Sequence, residues 1–247
     1  MSETIQHGVL YIVSTPIGNL EDITRRGVTI LSGVDLIAAE DTRTTRILLN
    51  HLGIEKPLIS YFVQNEVRRI PELIQRLQQG SAVALVTDAG TPGISDPAYA
   101  LIRAALQNEI RVIPVPGASA LLAALVASGL PTDRFVFEGF LPHKKGRKTR
   151  IGQLKHETRT IVLYESPHRI ERTLRELTAE LGARTAVLAR ELTKKFEEVR
   201  RGTLVQLLDS VQTNPPKGEI VLVVEGCDDR DRATGRTSDD NKDDDHG

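Results

Sequence analysis

The segment ALVTDAGTPGISDPAYALI, residues 84–102 of the 247-residue chain, suggests chemistry most strongly. An apolar strand pattern ends at Thr87-Asp88, and a loop rich in glycine, proline and aspartate precedes a helical pattern that Pro97 is well placed to open. Ligands of open α/β sheets bind beyond the carboxyl ends of the strands. Glycine permits positive φ and close backbone approach there, and carboxylates accept hydrogen bonds from hydroxyls. The segment therefore predicts a ligand-binding loop, with a structural turn as the alternative.

A second loop of this kind, STPIGNLEDIT at 14–24, follows the first strand pattern. Asn19 or Asp22 is expected to cap a helix there. If the two strands are neighbours, the two loops face one crevice, and a nucleotide or nucleoside is the natural ligand. The chain has neither G-x-G-x-x-G after a strand nor G-x-x-x-x-G-K-[ST], so dinucleotide-binding and P-loop sites are not expected.

A third strand end, in AAEDTRTTRILL at 38–49, carries Glu40, Asp41, Arg43 and Arg46. Asp41 has the residue type and position of a helix N-cap. Arg43 and Arg46 are three residues apart on one helical face, which suits a phosphate. Because these charges can face the same crevice, the corner is a candidate substrate contact.

The segment HKKGRKTRIGQLKHETR, 143–159, carries seven Lys or Arg against one Glu. This density suits contact with an RNA backbone, although a solvated basic helix explains it equally simply. No aromatic residue is interleaved, so base stacking is not expected within it.

Further strand ends follow in the second half of the chain. VLYESPHRI, 162–170, offers Tyr164 as a ligand candidate, while Ser166 is expected as N-cap and Pro167 as first helical residue. Arg190-Glu191 follow another strand pattern, and a Pro-Pro-Lys-Gly loop precedes the last one.

The composition and motifs of the chain argue against several classes of protein, including metalloproteins, serine hydrolases and membrane proteins. Cys227 is the only cysteine and the six histidines are dispersed, so neither a disulfide nor a metal site is expected, and no G-x-S-x-G elbow is present. The chain starts without a signal-peptide pattern, and its longest apolar stretch, 118–130, is too short for a membrane span, so a cytoplasmic protein is expected. The tail 228–247 holds eight Asp and is expected to be disordered, which leaves a mildly basic body.

Strand and helix patterns alternate along the chain, which predicts an α/β fold. The first half is expected to form a largely parallel sheet, and the second half a separate lobe with a mixed sheet. We place the domains at 1–116 and 117–227, followed by the tail, and expect the small-molecule site in a cleft between the two lobes.

Eight segments carry a family resemblance, in order, from about residue 8 to 226. They are TPIGNLEDIT, AAEDTRTT, VTDAGTPGISDP, VPGASALLAAL, GFLPHKKGRK, YESPHRI, ARELTKKFEEVRRGTL and KGEIVLVVEG. Together they resemble the bacterial small-subunit rRNA methyltransferase I family, part of the tetrapyrrole-methylase (class III) group of S-adenosylmethionine enzymes. The resemblance implies two α/β domains of tetrapyrrole-methylase type, usually in a homodimer, with the cofactor cleft between them.

The resemblance also implies S-adenosylmethionine-dependent methylation of a cytidine ribose 2′-oxygen in 16S rRNA, with cytidine 1402 as the expected nucleotide. The expected partner is the small ribosomal subunit, and neither DNA nor a membrane is expected. From their place beside the expected cleft, Glu40 or Asp41 is the expected catalytic residue, acting as the base or orienting the hydroxyl. The expected cofactor-binding residues are Pro16, Asp88, Gly90, Ile94, Asp96, Ser119, Ala120, Tyr164, Leu192 and Pro216. The expected RNA-binding residues are Arg43, Arg46, Lys144, Lys145, Arg147 and Lys148.

One position departs from the family pattern: Ala98 stands where the family commonly has Gly after Ser-Asp-Pro. Alanine is suitable in a helix's first turn but not where φ must be positive. Two alternatives stay open at this point. One is a sister enzyme that methylates a corrinoid or a diphthamide precursor, and the other is a non-catalytic RNA-binding module.

Overall fold

The computed structural model describes residues 5–227 and divides the chain into two compact units, Met1–Ala120 and Leu121–Gly247. The boundary expected from the sequence, 116/117, lies four residues earlier. The tail expected to be disordered, 228–247, lies outside the described residues.

The first unit contains a five-stranded sheet. Its strands are β1 (Val9–Val13), β2 (Leu36–Ala39), β3 (Leu58–Ser60), β4 (Val83–Val86) and β5 (Arg111–Val115). Its helices are α1 (Arg25–Gly33), α2 (Thr42–His51), α3 (Glu66–Gln78) and α4 (Tyr99–Gln107). The strand order is β3-β2-β4-β1-β5 and every pairing is parallel, which confirms the expected parallel sheet.

Both faces of this sheet are covered, which explains why its central strands are continuous apolar runs. In β1, Val9, Tyr11 and Val13 pack into one core while Leu10 and Ile12 pack into the other. This division follows the two-residue alternation of a strand.

The helices that follow β1 and β4 pack on opposite faces of the sheet. Ile30 and Leu31 of α1 belong to one core, and Leu101 of α4 belongs to the other. β1 and β4 are neighbours in the sheet. After β1 the chain therefore crosses to one face of the sheet, and after β4 it crosses to the other. Such a switch point leaves a crevice beyond the carboxyl ends of the strands.

The second unit begins within α5 (Ala120–Ser128) and contains a mixed sheet. Its strands are β6 (Phe135–Phe140), β7 (Thr160–Glu165), β8 (Thr185–Arg190), β9 (Glu198–Thr203) and β10 (Ile220–Val224). Its other helices are α6 (Arg147–Leu154), α7 (Ile170–Leu181) and α8 (Leu204–Thr213). The order is β6-β7-β10-β8-β9, with β6 and β7 parallel and the other pairs antiparallel, which confirms the expected mixed sheet.

Several loops lie together at one edge of the second sheet, the edge formed by the carboxyl ends of β6, β7 and β8. Ile220, the first residue of β10, pairs with Glu165 at the end of β7 and with Arg190 at the end of β8. Phe140, at the end of β6, pairs with Tyr164. The loops after β6, β7 and β8 and the loop before β10 therefore lie at the same edge.

Two expected helix starts were wrong. Helix α7 begins at Ile170, because Ser166 forms a turn in which its carbonyl oxygen accepts from the backbone N–H groups of Arg169 and Ile170. Pro97 does not open α4 either: Ala98 is the N-cap and Tyr99 the first helical residue.

Two expected caps were right. Asp41 caps α2 by accepting from the Arg43 N–H, and Asn19 caps a short 3-10 turn at Leu20–Asp22. Among the helices of the described residues, none has the length and apolar character needed to cross a membrane.

Candidate active site

The loops after β1 and β4 are joined to each other by backbone and side-chain hydrogen bonds. Thr15 and Gly90 exchange both N–H···O bonds, at 2.9 and 3.1 Å. Ser14 Oγ lies 2.9 Å from Thr91 Oγ1, and Thr15 Oγ1 donates to the Thr87 carbonyl at 3.0 Å. Within the first unit, the expectation that these two loops follow neighbouring strands and lie together is confirmed, and the crevice that they are expected to face stays a prediction.

Glycine is required where these loops approach one another. Gly90 and Gly93 have φ values of +82° and +88°, which side-chain-bearing residues rarely adopt. The loop after β5 comes equally close, since a Cβ on Gly117 would stand 2.8 Å from the Cβ of Ser14. Three loops thus form one cradle, defined here as residues 14–18, 88–96 and 117–120.

Ala98 does not disturb this cradle. Its φ is −156°, so the position does not need glycine. Its side chain is buried, and a Cβ on Gly93 would lie 3.3 Å from its Cβ. The departure from the family pattern is therefore compatible with the loop's backbone.

Three acidic residues gather at the ends of β2 and β4. Glu40 Oε2 accepts from Thr87 Oγ1 at 2.5 Å and from the Asp88 N–H at 3.3 Å. Asp88 Oδ1 accepts from the Asp41 N–H at 3.2 Å. The loop after β2 is therefore fixed against the cradle by hydrogen bonds to carboxylates.

The carboxyl groups here differ in acidity. Hydrogen bonds from the Arg43 side chain and backbone lower the pKa of Asp41 to about 2. Burial, reinforced by the charge of Glu40, raises the pKa of Asp88. Burial also raises the pKa of Asp96, and the charges of Glu40 and Asp88 act in the same direction. A proton acceptor benefits from a raised pKa, so Asp41 is poorly suited to that role.

The structure brings together the expected cofactor residues of the first unit. They all lie in or beside the cradle and comprise Pro16, Asp88, Gly90, Ile94, Asp96, Ser119 and Ala120. Asp88 and Ile94 are exposed, and Asp96 is half-buried. Their role in binding a cofactor stays a prediction.

The expected cofactor residues of the second unit lie at the shared edge of its sheet. Tyr164 is near the end of β7, and its hydroxyl oxygen accepts from the Leu121 N–H at 3.2 Å. Its ring packs edge-on against Phe137 and Phe140, with centroids 5.0 and 5.6 Å apart. Leu192 follows β8 and Pro216 precedes β10.

The loop around Leu192 is conformationally strained. Glu191 and Thr193, on either side of it, have positive φ values of 49° and 68°. Glu191 Oε1 accepts from Lys194 Nζ at 3.0 Å and from the Glu219 N–H at 3.2 Å, which holds the turn. Strain of this kind is concentrated at functional sites.

Most of the expected RNA-binding residues are exposed: Arg43, Arg46, Lys144, Lys145 and Lys148. The expectation for Arg147 was wrong. Its side chain is 3% exposed, and its guanidinium donates to Glu176 Oε2, the Pro142 carbonyl and Thr173 Oγ1. A guanidinium enclosed by protein acceptors has no access to an RNA phosphate.

Sequence reasoning missed the polar residues that support the site. Thr87 and Thr15 are buried hydroxyls at strand ends, and Glu165 is a buried carboxylate that ends β7. A polar residue that closes an apolar strand was the available signal, because a buried polar group requires a partner. Among residues 5–227 no cluster of three or more potential metal ligands is found.

The fold and the loops at the sheet edges define the class of protein. Residues 9–208 match the family described as Tetrapyrrole (Corrin/Porphyrin) Methylases, and the chain belongs to that family. Solved structures share the fold: diphthine synthase has a TM-score of 0.68 at 18% identity, covering 88% of this chain and 90% of its own. Uroporphyrin-III-C-methyltransferase from Thermus thermophilus has a TM-score of 0.61 at 21% identity, covering 88% and 94%.

Much closer relatives are found among curated proteins. A protein of Synechocystis sp. is 53% identical over 227 residues, covering 91% of this chain and 81% of its own length. A protein of Xylella fastidiosa is 53% identical over 230 residues, covering 92% and 84%. Both are named Ribosomal RNA small subunit methyltransferase I, which confirms the resemblance and makes this chain a methyltransferase. The non-catalytic alternative is thereby set aside.

Proposed function

We propose that this protein transfers a methyl group from S-adenosylmethionine to rRNA of the small ribosomal subunit. The observation that carries the proposal is the 53% identity, over nine-tenths of the chain, to relatives named for that activity. The two solved structures named above, diphthine synthase and uroporphyrin-III-C-methyltransferase, are 18 and 21% identical to this chain and show the fold alone, so they do not favour the sister-enzyme alternative.

The finer proposal is methylation of a cytidine ribose 2′-oxygen, at cytidine 1402 of 16S rRNA. It rests on the eight matched sequence segments. A homodimer stays a prediction of the same resemblance, and a cytoplasmic location stays a prediction from composition.

The cradle contains hydrogen-bonding groups that suit the cofactor. Carboxylates of Asp88 and Asp96 can accept from ribose hydroxyls, and the turn at Gly90 leaves no side chain between the backbone and a ligand. We assign Pro16, Ile94, Ser119 and Ala120 to the same cradle. The cofactor roles of Tyr164, Leu192 and Pro216, which lie in the second unit, stay predictions of the family resemblance. When bound, S-adenosylmethionine supplies an already activated methyl group at its sulfonium.

The remaining work of the protein is to place a hydroxyl in line with that methyl group and to remove its proton. Glu40 is our candidate for accepting or orienting this proton, because its carboxylate lies beside Asp88 at the edge of the cradle. Asp41 caps α2 and holds the Arg43 guanidinium through Nη2 at 2.6 Å, so its proposed role is to orient Arg43. Arg43, Arg46, Lys144, Lys145 and Lys148 would hold RNA phosphates.

The test uses small subunits from a strain that lacks this enzyme. They are incubated with the purified protein and isotopically labelled S-adenosylmethionine, and the rRNA is digested and mapped by mass spectrometry. The proposal predicts label in one 2′-O-methylcytidine at position 1402. Subunits from the parent strain, already methylated, serve as the control and should take up no label. Label on a base, on another nucleotide or on none would contradict the proposal.

A further inference from the structure

A buried network of charged side chains lies beside the loop of residues 141–146, which joins β6 to α6 and is called here the basic loop. This loop exposes His143, Lys144 and Lys145. The network beside it is centred on Arg147, Glu165 and Thr173, whose exposed fractions are 3, 2 and 0%.

Thr173 links the arginine to the carboxylate. Its hydroxyl accepts from Arg147 Nη2 at 2.7 Å and donates to Glu165 Oε2 at 2.6 Å. Arg147 Nε donates to Glu176 Oε2 at 2.5 Å, and Arg169 Nε lies 3.3 Å from Glu165 Oε1. Two cations and two anions are therefore paired, as burial of charge requires.

The network holds the first residues of the basic loop by their backbone. Arg147 Nη1 donates to the Pro142 carbonyl at 3.2 Å, and Arg169 Nη2 donates to the Leu141 carbonyl at 2.5 Å. Arg169 Nη1 also lies 3.2 Å from His143 Nε2. Through these bonds the position of the loop depends on α7 and on the end of β7.

The same strand end carries a proposed cofactor residue. Glu165 directly follows Tyr164, and the basic loop lies at the same edge of the sheet as Tyr164. A buried ionic network is a poor source of stability compared with apolar packing, because desolvation offsets the attraction between the charges. Its geometric effect is local: it fixes the Leu141 and Pro142 carbonyls, just before the two exposed lysines, relative to α7 and the end of β7.

We propose that Arg147, Thr173 and Glu165 are positioning residues that hold the loop carrying Lys144 and Lys145 at a fixed position relative to Tyr164, so that RNA phosphates are bound at a fixed distance from this proposed cofactor residue. This proposal rests on the proposed function. None of the three residues touches the RNA; they act through the basic loop.

Thr173→Val tests the proposal with the least disturbance, because it removes one hydroxyl and keeps the side-chain shape. Thr178→Val is a matched control on the same helix, since the Thr178 hydroxyl is buried without a hydrogen-bond partner among the described residues. Arg147→Lys provides a second variant that keeps the charge and loses the three-way hydrogen bonding.

Two readouts are needed. One is the rate of tryptic cleavage after Lys144 and Lys145 in the folded protein, which reports local opening of the basic loop. The other is steady-state methylation of small subunits, together with the Kd for S-adenosylmethionine. We expect Thr173→Val and Arg147→Lys to speed cleavage and raise KM for the subunit about tenfold, with kcat and the cofactor Kd unchanged. Thr178→Val should match wild type.

A double-mutant cycle separates positioning from general stability. In a Lys144→Gln/Lys145→Gln background, Thr173→Val should no longer raise KM, because the cations it positions are absent. An unchanged cleavage rate or an unchanged KM in Thr173→Val would overturn the proposal, as would an equal rise in KM in both backgrounds. If wild type methylates no rRNA, the proposed function fails, while the cleavage comparison still decides whether the network holds the loop.

Discussion

Glu40 and Asp41 are adjacent in the chain, but their carboxylates have different surroundings. Asp41 is engaged by Arg43 and has a pKa of about 2, whereas Glu40 faces Thr87 and Asp88. From the sequence, both residues could be predicted as catalytic candidates because both follow a strand. It could not separate them, since the difference comes from which side chains the fold brings next to each.

At the residue scale, Glu40→Gln should reduce single-turnover methylation about 100-fold or more, the usual contribution of a positioned acid or base. The amide keeps the size of the side chain but cannot accept a proton. Asp35→Asn is the control, because Asp35 immediately precedes the same strand, at its opposite end, where it accepts from the Ala82 N–H. The cofactor Kd should change little in both variants. Equal rates in Glu40→Gln and wild type would remove Glu40 from the mechanism.

Asp96 allows a prediction on stability and pH. Its pKa is raised above the ordinary 3.8 by burial and by the charges of Glu40 and Asp88. The folded state therefore binds the proton more tightly than the unfolded state, so stability from this group is present at low pH and is lost as pH rises through the raised pKa.

Asp96→Asn should consequently raise the free energy of unfolding at pH 7, and the gain should shrink as the pH falls towards 3.8. Urea unfolding at several pH values measures this. If Asp96 binds the cofactor as proposed, the same variant should bind S-adenosylmethionine more weakly. A gain in stability that is constant across pH would contradict the electrostatic explanation.

At the element scale, the turns at both ends of β4 contain left-handed glycines. Gly90 follows β4 with φ +82°, and Gly80 precedes β4 with φ +92°. Both substitutions to alanine should therefore cost about 1–2 kcal/mol of stability from the unfavourable backbone.

Only Gly90→Ala should also weaken cofactor binding, because Gly90 lies in the cradle and Gly80 lies at the other end of the strand. Isothermal calorimetry with S-adenosylmethionine, beside thermal unfolding, separates the two effects. Equal cofactor affinity in Gly90→Ala and Gly80→Ala would show that the cradle does not contact the ligand.

The elements themselves were largely predictable. Alternating strand and helix patterns predicted the parallel sheet of the first unit and the mixed sheet of the second. Asp41 as the cap of α2 was also predictable, because an Asp before a helical pattern accepts local N–H groups. These features depend on short-range geometry and on the periodicity of burial.

Features that depend on distant partners were not predictable. Ser166-Pro167 has the local pattern of a helix start, yet α7 begins at Ile170. Arg147 looked like one more exposed cation in a basic segment, but Glu176 and Thr173 of α7 enclose it. A single sequence gives no measure of such contacts between residues almost thirty positions apart.

At the scale of the whole molecule, net charge is a weak guide to the partner. The chain has 32 Lys or Arg and 33 Asp or Glu, so a phosphate-binding surface must come from local placement of charge. The exposed cations of the basic loop are such a local concentration, whereas many of the other arginines are paired with carboxylates.

Lys144→Gln/Lys145→Gln should therefore flatten the salt dependence of subunit binding. Loss of two phosphate contacts reduces the slope of log K against log salt by about 1.5. Lys56→Gln/Arg111→Gln removes two charges at the amino edge of the first sheet and should leave the slope unchanged. Filter binding at several salt concentrations measures both, and equal slopes for the two double variants would contradict this placement of the RNA surface.

The most direct test of the account is a crystal structure of the protein with S-adenosylhomocysteine, the product of methyl transfer. We expect ligand density in contact with the turn at Gly90 and with the carboxylates of Asp88 or Asp96. Density at a different place, or a crystal soaked at saturating concentration in which these loops contact no ligand, would contradict it.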